Sequence, residues 1–307
     1  MPTGLLNLLD LAKRTNNPDA PDLIEAVTTF APEITQIFGR PIVGTGYMAS
    51  LRTVLPATGF RSINSGTALT KSEYAEKFIQ CFLMDAQMQV DEMLPGKQGL
   101  PLATVLTNEA MGVVTSAGIT VGSQFYYGKA ADANKGFPGL QTQVDSSLVV
   151  DAGGTTDNTA TSVYAICEGL DATHLLFGDN GKIVMPEDWR LQRVTDANGN
   201  YFNAWLNNLA SWIGLQVGHP KSVGRIKKLT QDTGKGLTDA LLGKLISQFP
   251  IRMKPTKIFL TPRSLEQLRA SRTATTVNGV PVPKPDNYAG IPLIETDSIL
   301  NTETLAQ

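Results

Sequence analysis

One long run of helical spacing, in the first half of the chain, limits the fold more than any other feature. From Leu102 to Phe125, apolar residues stand at positions 102, 105, 106, 110, 113, 114, 117, 121 and 125, which places them on one face of an α-helix. Three glycines interrupt the run, Gly112, Gly118 and Gly122, and each weakens a helix by roughly 1 kcal/mol relative to alanine. The run therefore predicts a single long helix that depends on packing for its stability.

The stretch before this helix, from Tyr47 to Val90, has the two-residue alternation of strands instead. Residues 48, 50, 52 and 54 form one set of alternating positions, and residues 49, 51 and 53 form the other. The pattern is then interrupted at Pro56, Gly59 and Gly66. This arrangement predicts a long two-stranded excursion with a polar tip. Because an isolated two-stranded ribbon is only marginally stable in water, we expect it to lie on something else, such as another subunit.

The second half of the chain mixes strand and helix signals without the regularity of βαβ units. TSVYAICEG and THLLFG predict two strands, and Asn198-Gly199 is a strong signal for a tight hairpin. KIFLTPRSLEQLRASR predicts strand, turn and helix, with Thr261 as the N-cap and Pro262 at the first helical position. Residues 201–218 fit the helix and strand templates about equally. The expected fold class is α+β.

A second helix is predicted near the end of the chain by LTDALLGKLISQFP. Leu237, Leu241, Leu245 and Phe249 fall on one face of this helix, and Pro250 ends it. The stretch GIPLIETDSI after it predicts a final strand.

The segment VVDAGGTTDNT poses a question of chemistry, because a strand that ends in Asp and is followed by Gly-Gly-Thr begins the nucleotide site of actin-like and sugar-kinase enzymes. Such a site needs two phosphate hairpins. The chain has one, at Asp151, and it lies midway along the sequence instead of at its start. The segment therefore favours a turn, in which Gly153 and Gly154 supply backbone freedom and Asp151 caps the turn. A nucleotide-binding enzyme remains the alternative.

A second stretch, around Lys235, only partly resembles a phosphate-binding loop. The motif G-x-x-x-x-G-K-[ST] requires Gly where this chain has Leu229, and Ser or Thr where it has Gly236. The stretch predicts a glycine turn that enters a helix with its N-cap near Gly236.

Other reactive side chains are isolated in the sequence. The two cysteines are far apart among apolar residues, which predicts buried free thiols. The two histidines cannot form a His-rich metal site, and no CxxC or HExxH spacing occurs. We expect neither a metal nor a cofactor. The groups considered are Cys81, Cys167, His174, His219, Asp171 and the neighbouring pair Glu187 and Asp188.

The composition argues against general nucleic-acid binding. The chain has 26 Lys and Arg residues against 28 Asp and Glu residues, so its formal net charge is −2. The longest weakly charged run, residues 110–127, is slightly short for a membrane span and rich in Thr, Ser and Gly. We expect a soluble intracellular protein with no membrane contact.

The order of these segments resembles the major capsid proteins of tailed bacteriophages, which have the Hong Kong 97-type fold. The resemblance covers most of residues 45–300 and depends on the order of several motifs, each weak alone. They are VDEML, SQFYYG, GFPGLQTQV, DAGGTTDNTATSVYAI, SWIGLQVGHPKSVGRIKKL, KIFLTPRSLEQLRA and YAGIPLIETDSI.

The resemblance implies a division of the chain into parts. An N-terminal arm is followed by an extended E-loop that lies over the neighbouring subunit. A peripheral domain contains the long helix, called the spine helix, and an axial domain clusters around the capsomer axes. The ambiguous segment 201–218 becomes a strand. The implied ranges are 1–44 for the arm, 45–85 for the E-loop, 86–150 for the peripheral domain with its spine helix, 151–200 for axial strands and loops, 201–229 for a peripheral strand region, and 230–307 for the axial domain with the C-terminal strand.

The implied function is assembly. Copies of the chain would form pentamers and hexamers, through heterologous contacts that close at either number, and build an icosahedral shell in the virion. The shell would assemble in the host cytoplasm and enclose double-stranded DNA without sequence-specific binding. The short arm implies a separate scaffolding protein, and a portal and a decoration protein are further expected partners. Candidate interface residues are Arg52, Phe60, Arg61, Lys71, Glu73, Leu237 and Leu241.

One related architecture and one unrelated function stay open at this point, while a covalent crosslink is not expected. Some relatives crosslink a Lys to an Asn between subunits, but Lys71 has no matching acceptor motif, so we expect no crosslink. Encapsulin compartments share the fold and are not excluded by the pattern. A binding or adhesion module that uses the ribbon to recognise one partner is the third interpretation.

Overall fold

A computed structural model describes residues 29, 31–94, 101–129, 136–185, 188–274 and 282–306. Residues 1–28 of the predicted arm and Glu187 lie outside these ranges. The elements, in chain order, are α1 (Glu33–Gln36), β1 (Gly39–Pro41), β2 (Gly46–Val54), β3 (Glu73–Gln80), β4 (Phe82–Asp91), α2 (Leu102–Tyr127), α3 (Leu140–Gln143), β5 (Val149–Asp151), β6 (Thr161–Ile166), β7 (Thr173–Phe177), β8 (Ile183–Val184), β9 (Arg190–Thr195), β10 (Tyr201–Val217), β11 (Val223–Leu229), α4 (Asp239–Ser247), β12 (Lys257–Leu260), α5 (Pro262–Ala274), β13 (Asn287–Tyr288) and β14 (Ile291–Glu295).

The strands form three sheets, and the mixture with helices confirms the α+β class. In the first sheet the order is β1-β7-β10-β4, and β8 and β9 also pair with β10. In the second sheet the order is β13-β14-β12-β6-β11-β5. Within the described ranges, strands β2 and β3 pair with each other and with no other strand. The predicted ribbon, hairpin and C-terminal strand are therefore present, and the ambiguous segment is strand β10, as the resemblance implied.

Helix α2 is the predicted long helix, and its buried residues include Val105, Val121 and Phe125. It packs on β4, with contacts to β10 as well. Gly122 has a packing role, because a Cβ at this position would lie 2.2 Å from the Ser298 hydroxyl oxygen. No helix within the described ranges combines the length and the hydropathy that a membrane crossing requires.

The second sheet is buried on both faces by two different cores. In β6, Tyr164 and Ile166 face the core beneath the first sheet and the end of α2. Val163 and Ala165 face the opposite core, which α4 and α5 cover. Every residue of β6 is buried.

Two details of helix α4 refine the prediction. The helix begins at Asp239, and its N-cap is Thr238, two residues after Gly236. The Thr238 hydroxyl accepts from the Leu241 amide. Within the helix the buried side chains are Leu242 and Leu245, while Leu241 is only half-buried. Thr238 is preferred because a threonine side chain can accept the free amide hydrogen bond and glycine cannot.

Sheet membership also cuts across the implied domain ranges. Strands β7, β8 and β9 fall in the range 151–200 that was grouped with the axial domain, yet they pair with β10 in the first sheet. Strand β11 falls in the range 201–229, yet it pairs with β6 in the second sheet. The E-loop boundary at residue 85 falls inside β4, and the ribbon itself ends at Gln80. The physical reason is that the chain crosses between the sheets at the turn after β6 and again after β10.

A buried ion pair joins the C-terminal segment to the second sheet. The Arg225 guanidinium lies 3.2 Å from the Glu303 carboxylate, and both side chains are almost completely buried. Ser162 and Tyr127 each donate to the same carboxylate, at 2.6 Å. Glu303 thus connects β6, β11 and the last turn of helix α2.

We expect the Glu303→Ala substitution to lower the free energy of unfolding by about 3–5 kcal/mol, because it leaves the Arg225 charge buried without a partner. Urea unfolding measures this change. The control is Glu266→Ala, which breaks an exposed pair with Arg269 and should leave the unfolding midpoint nearly unchanged. Equal midpoints for the two variants would contradict the prediction.

Candidate interaction surface

The ribbon, residues 46–80, exposes most of its side chains to solvent. Strands β2 and β3 are antiparallel, with Gly46 opposite Gln80 and Arg52 opposite Tyr74. Most of its side chains are exposed on both faces, and Ile79 is the single fully buried residue of β3. The residues between the strands, 55–72, form no regular structure.

Large apolar side chains are fully exposed at the ribbon tip. Relative exposure is 110% for Phe60, 101% for Leu69 and 91% for Ile63. Moving such a side chain from water into an apolar contact is worth about 1.5–3 kcal/mol. Several exposed apolar side chains on one tip indicate a surface that binds another molecule.

The base of the ribbon, in contrast, is fixed to the body. The Lys77 ammonium donates to the Gln143 side chain at 3.0 Å and lies 3.5 Å from the Val217 carbonyl. The Tyr47 hydroxyl donates to the side chain of Gln216. Burial lowers the pKa of Lys77 and raises that of Tyr47. The ribbon therefore leaves the body from a defined root.

Five of the seven predicted interface residues lie together on this ribbon. The Arg52 guanidinium lies 5.4 Å from the centre of the Tyr74 ring, and Arg61 donates to the Ser65 carbonyl at 2.8 Å. Phe60, Lys71 and Glu73 are exposed.

The other two predicted residues do not join this surface. Leu237 is completely buried in the core beneath α4 and α5, so its side chain cannot contact a neighbouring subunit, and that expectation is corrected. Leu241 is half-buried against the same core. The helical pattern alone could not distinguish an apolar face that contacts the chain's own sheet from one that contacts another subunit.

Several residues of this surface were not predicted from the sequence. Ile63 and Leu69 carry a usable signal, because large apolar residues are unusual in a stretch rich in Gly, Ser and Pro. Lys77 and Gln143 carry none, because their contact depends on how the ribbon meets α3.

The glycine-rich turn after β5 has its hydrogen-bond donors already occupied. The amides and hydroxyls of Thr155 and Thr156 all donate to the Asp232 carboxylate, at 2.6–3.1 Å. Hydrogen bonds from Thr156, Thr155 and Thr230 hold the pKa of Asp232 well below its ordinary value. A carboxylate thus takes the donors that a phosphate would need.

The glycines of this turn differ in their roles. Asp151 accepts from the Gly153 amide at 2.7 Å, which confirms the predicted cap. Gly153 has a φ of +74°, which requires backbone freedom. Gly154 is needed for space instead, because a Cβ there would lie 2.5 Å from the Lys228 carbonyl oxygen.

The remaining reactive groups are separated or buried. His174 is buried, and its Nδ1 atom lies 3.0 Å from the Gly169 carbonyl. Burial raises the pKa of the Cys81 thiol to about 11, which keeps it unreactive near neutral pH, and Cys167 is likewise a buried free cysteine. Among the described residues, no three His, Cys, Asp or Glu side chains converge in a way that could hold a metal ion.

Comparison with known proteins gives a consistent result. The model of the family described as "Major capsid protein GP7" matches residues 43–307. A chain in the structure of bacteriophage Epsilon15 is similar with a TM-score of 0.75 and 19% identity, and the match covers 99% of this chain and 98% of that one. The bacteriophage JBD30 capsid is similar with a TM-score of 0.56 and 9% identity, over 89% of this chain and 93% of that one.

A holo-SrpI encapsulin complex from Synechococcus elongatus PCC 7942 is similar with a TM-score of 0.48 and 7% identity, over 73% of this chain and 95% of that one. This TM-score is too low to support an argument. No curated protein matches the chain. At these identities the solved structures establish the fold alone.

We expect the Lys77→Met substitution, which keeps the apolar stem and removes the ammonium group, to loosen the ribbon without unfolding the body. Amide hydrogen exchange in β2 and β3 should become faster, while the urea midpoint changes little. Lys71→Met, at an exposed lysine of the same ribbon, is the matched control. Equal exchange rates in the two variants would show that the root does not depend on Lys77.

Proposed function

Because this chain belongs to the major capsid protein GP7 family, we propose that its ribbon is the element by which copies of the chain hold one another in the shell. The chain is a structural protein of a bacteriophage capsid, has the Hong Kong 97-type fold, and is not an enzyme. It forms multimers with copies of itself and is a component of the virion.

The observation that carries this proposal is the combination of an exposed apolar tip with a fixed root. A tip that carries Phe60, Ile63 and Leu69 in full contact with water is costly for an isolated chain. A root fixed by Lys77 and Tyr47 directs the tip away from its own body. Together these features support a contact that one copy provides and the next copy accepts.

We infer that the contact is heterologous, with the ribbon of one copy lying on a different surface of the next copy. Heterologous contacts form rings when the rotation closes, and small differences in angle decide the number of subunits. We infer pentamers and hexamers built through this contact. Arg52, Phe60, Arg61, Lys71 and Glu73 are its candidate residues, and Leu241 is a candidate for a second contact near α4.

The sheets support a revised division into domains. The sheet that contains β10, together with α2, corresponds to the peripheral domain. The sheet that contains β6, together with α4 and α5, corresponds to the axial domain. The E-loop is the ribbon with its tip, and the residues before β2 form the arm.

Further partners follow from the same proposal. A near-neutral chain, with a net charge of −2, suits a shell that encloses double-stranded DNA without sequence-specific binding. A separate scaffolding protein, a portal and a decoration protein are proposed partners, and assembly is proposed to occur in the host cytoplasm.

We expect deletion of residues 56–68 to leave a folded body and abolish closed shells, because the deletion removes the tip that the next subunit covers. Circular dichroism and urea unfolding measure folding, and sedimentation velocity with electron microscopy measures shells. Loss of folding would instead mean that the tip belongs to the core of its own chain.

A point substitution separates the tip's chemistry from its length. Phe60→Ser should reduce the yield of closed shells, while Ser62→Asn, at an exposed polar position of the same tip, should leave the yield near that of the unmodified chain. Equal yields would show that the apolar tip does not make the contact.

A further inference from the structure

The segment directly before the ribbon is a strap, residues 33–41, made of α1 and β1. Its strand β1 pairs in parallel with β7 of the first sheet. Lys257, from β12 of the second sheet, donates to the Gln36 carbonyl of the strap. The strap leads through residues 42–45 into the ribbon, which begins at Gly46.

The strap begins with a carboxylic acid that is completely buried. The side chain of Glu33 accepts hydrogen bonds from the Thr296 hydroxyl at 2.6 Å and the Ser298 hydroxyl at 3.1 Å. The buried Tyr126 hydroxyl faces the same carboxyl group from helix α2. Gly122 makes room for it, since a Cβ there would lie 2.9 Å from the carboxylate.

All of these contacts are with neutral groups. Two charged residues lie on neighbouring segments. Asp297 stands between Thr296 and Ser298 in the sequence, and Lys257 forms an ion pair with Glu168. Tyr126 is the one titratable group that faces Glu33 from α2. Among the residues that the structure describes, those that contact Glu33 include no cation, so a charge on Glu33 would be buried opposite hydroxyl groups.

We propose that Glu33 is a proton-operated latch, which holds the strap against α2 and the C-terminal segment in its neutral form and loosens the strap when it loses its proton to water. The latch itself is independent of the assembly role. Its effect on shells rests on the proposed function, because the strap leads into the ribbon.

The sign of the pH dependence follows from burial. Burial raises the pKa of Glu33 above its ordinary value of 4.5, although hydrogen bonds from Thr296 and Ser298 partly oppose this. The stabilisation is thus fully present below pH 4.5 and is lost as the pH rises through the raised pKa. Every unit by which the pKa is raised corresponds to about a tenfold change in the opening equilibrium of the strap.

Amide hydrogen exchange at Ile37, whose amide donates to the Glu33 carbonyl, tests the latch directly. After correction for the intrinsic effect of pH on exchange, protection in the unmodified chain should fall as the pH is raised, by about tenfold per unit of pKa elevation. In Glu33→Gln, which is neutral at every pH and nearly the same shape, protection should stay constant. Glu266→Gln, at an exposed carboxyl group, should behave like the unmodified chain.

The proposal is overturned if the unmodified chain shows no pH dependence at Ile37, or if Glu33→Gln loses protection as the unmodified chain does. Should Glu33→Gln fail to fold, carbon-13 titration of the Glu33 carboxyl group in the unmodified chain decides the matter. A pKa at or below the ordinary value would then exclude the latch.

Shell yield as a function of pH tests the link to assembly separately. If the latch acts on the ribbon, the yields of the unmodified chain and of Glu33→Gln should agree under acidic conditions and diverge as the pH rises. Identical yields throughout would overturn that link. Failure of both chains to form any shells would count against the proposed function and leave the exchange result at Ile37 to decide the latch.

Discussion

The buried pair of Arg225 and Glu303 is the interaction on which the arrangement of the sheets and the long helix depends. Two charges are removed from water, and each is compensated: Glu303 accepts from Arg225, Ser162 and Tyr127, while Arg225 also donates to Ser162 at 2.9 Å. These partners come from β6, β11, α2 and the C-terminal segment. Because loss of one partner leaves an uncompensated charge, the pair favours one arrangement over alternatives in which the helix end or the C-terminal segment has shifted.

Local patterns were sufficient for most of the elements. The spacing from Leu102 to Phe125 predicted helix α2, and Asn198-Gly199 predicted the hairpin between β9 and β10. Segment 201–218 could not be assigned from its own residues, because buried positions of β10 include the polar residues Asn207 and Ser211, so apolar and polar residues do not alternate along the sequence. The resemblance to a known family, and not periodicity, indicated a strand.

The candidate site was predictable only in part, and the reason is tertiary. The ribbon and its glycine-containing tip could be recognised from Met48 to Gly66, so five of the predicted contact residues lie on one surface. The tip was predicted to be polar, but it exposes Phe60, Ile63 and Leu69. Leu237 has the same apolar character as Phe60 but faces the chain's own core, and one sequence cannot tell these cases apart. The contact between Lys77 and Gln143 joins residues 66 positions apart, which no local pattern encodes.

Strand β6 has a mechanical consequence. Since both of its faces are buried, in different cores, neither the layer of α4 and α5 nor the layer of α2 and the first sheet can tilt without opening the strand. The body is therefore stiff. A subunit that has to fit places of different curvature must bend elsewhere, and the ribbon, exposed on both faces and held only at its root, is the compliant part. The body is thus the stiff part of the subunit, and the ribbon is the compliant part. The strap lies on the body and leads into the ribbon.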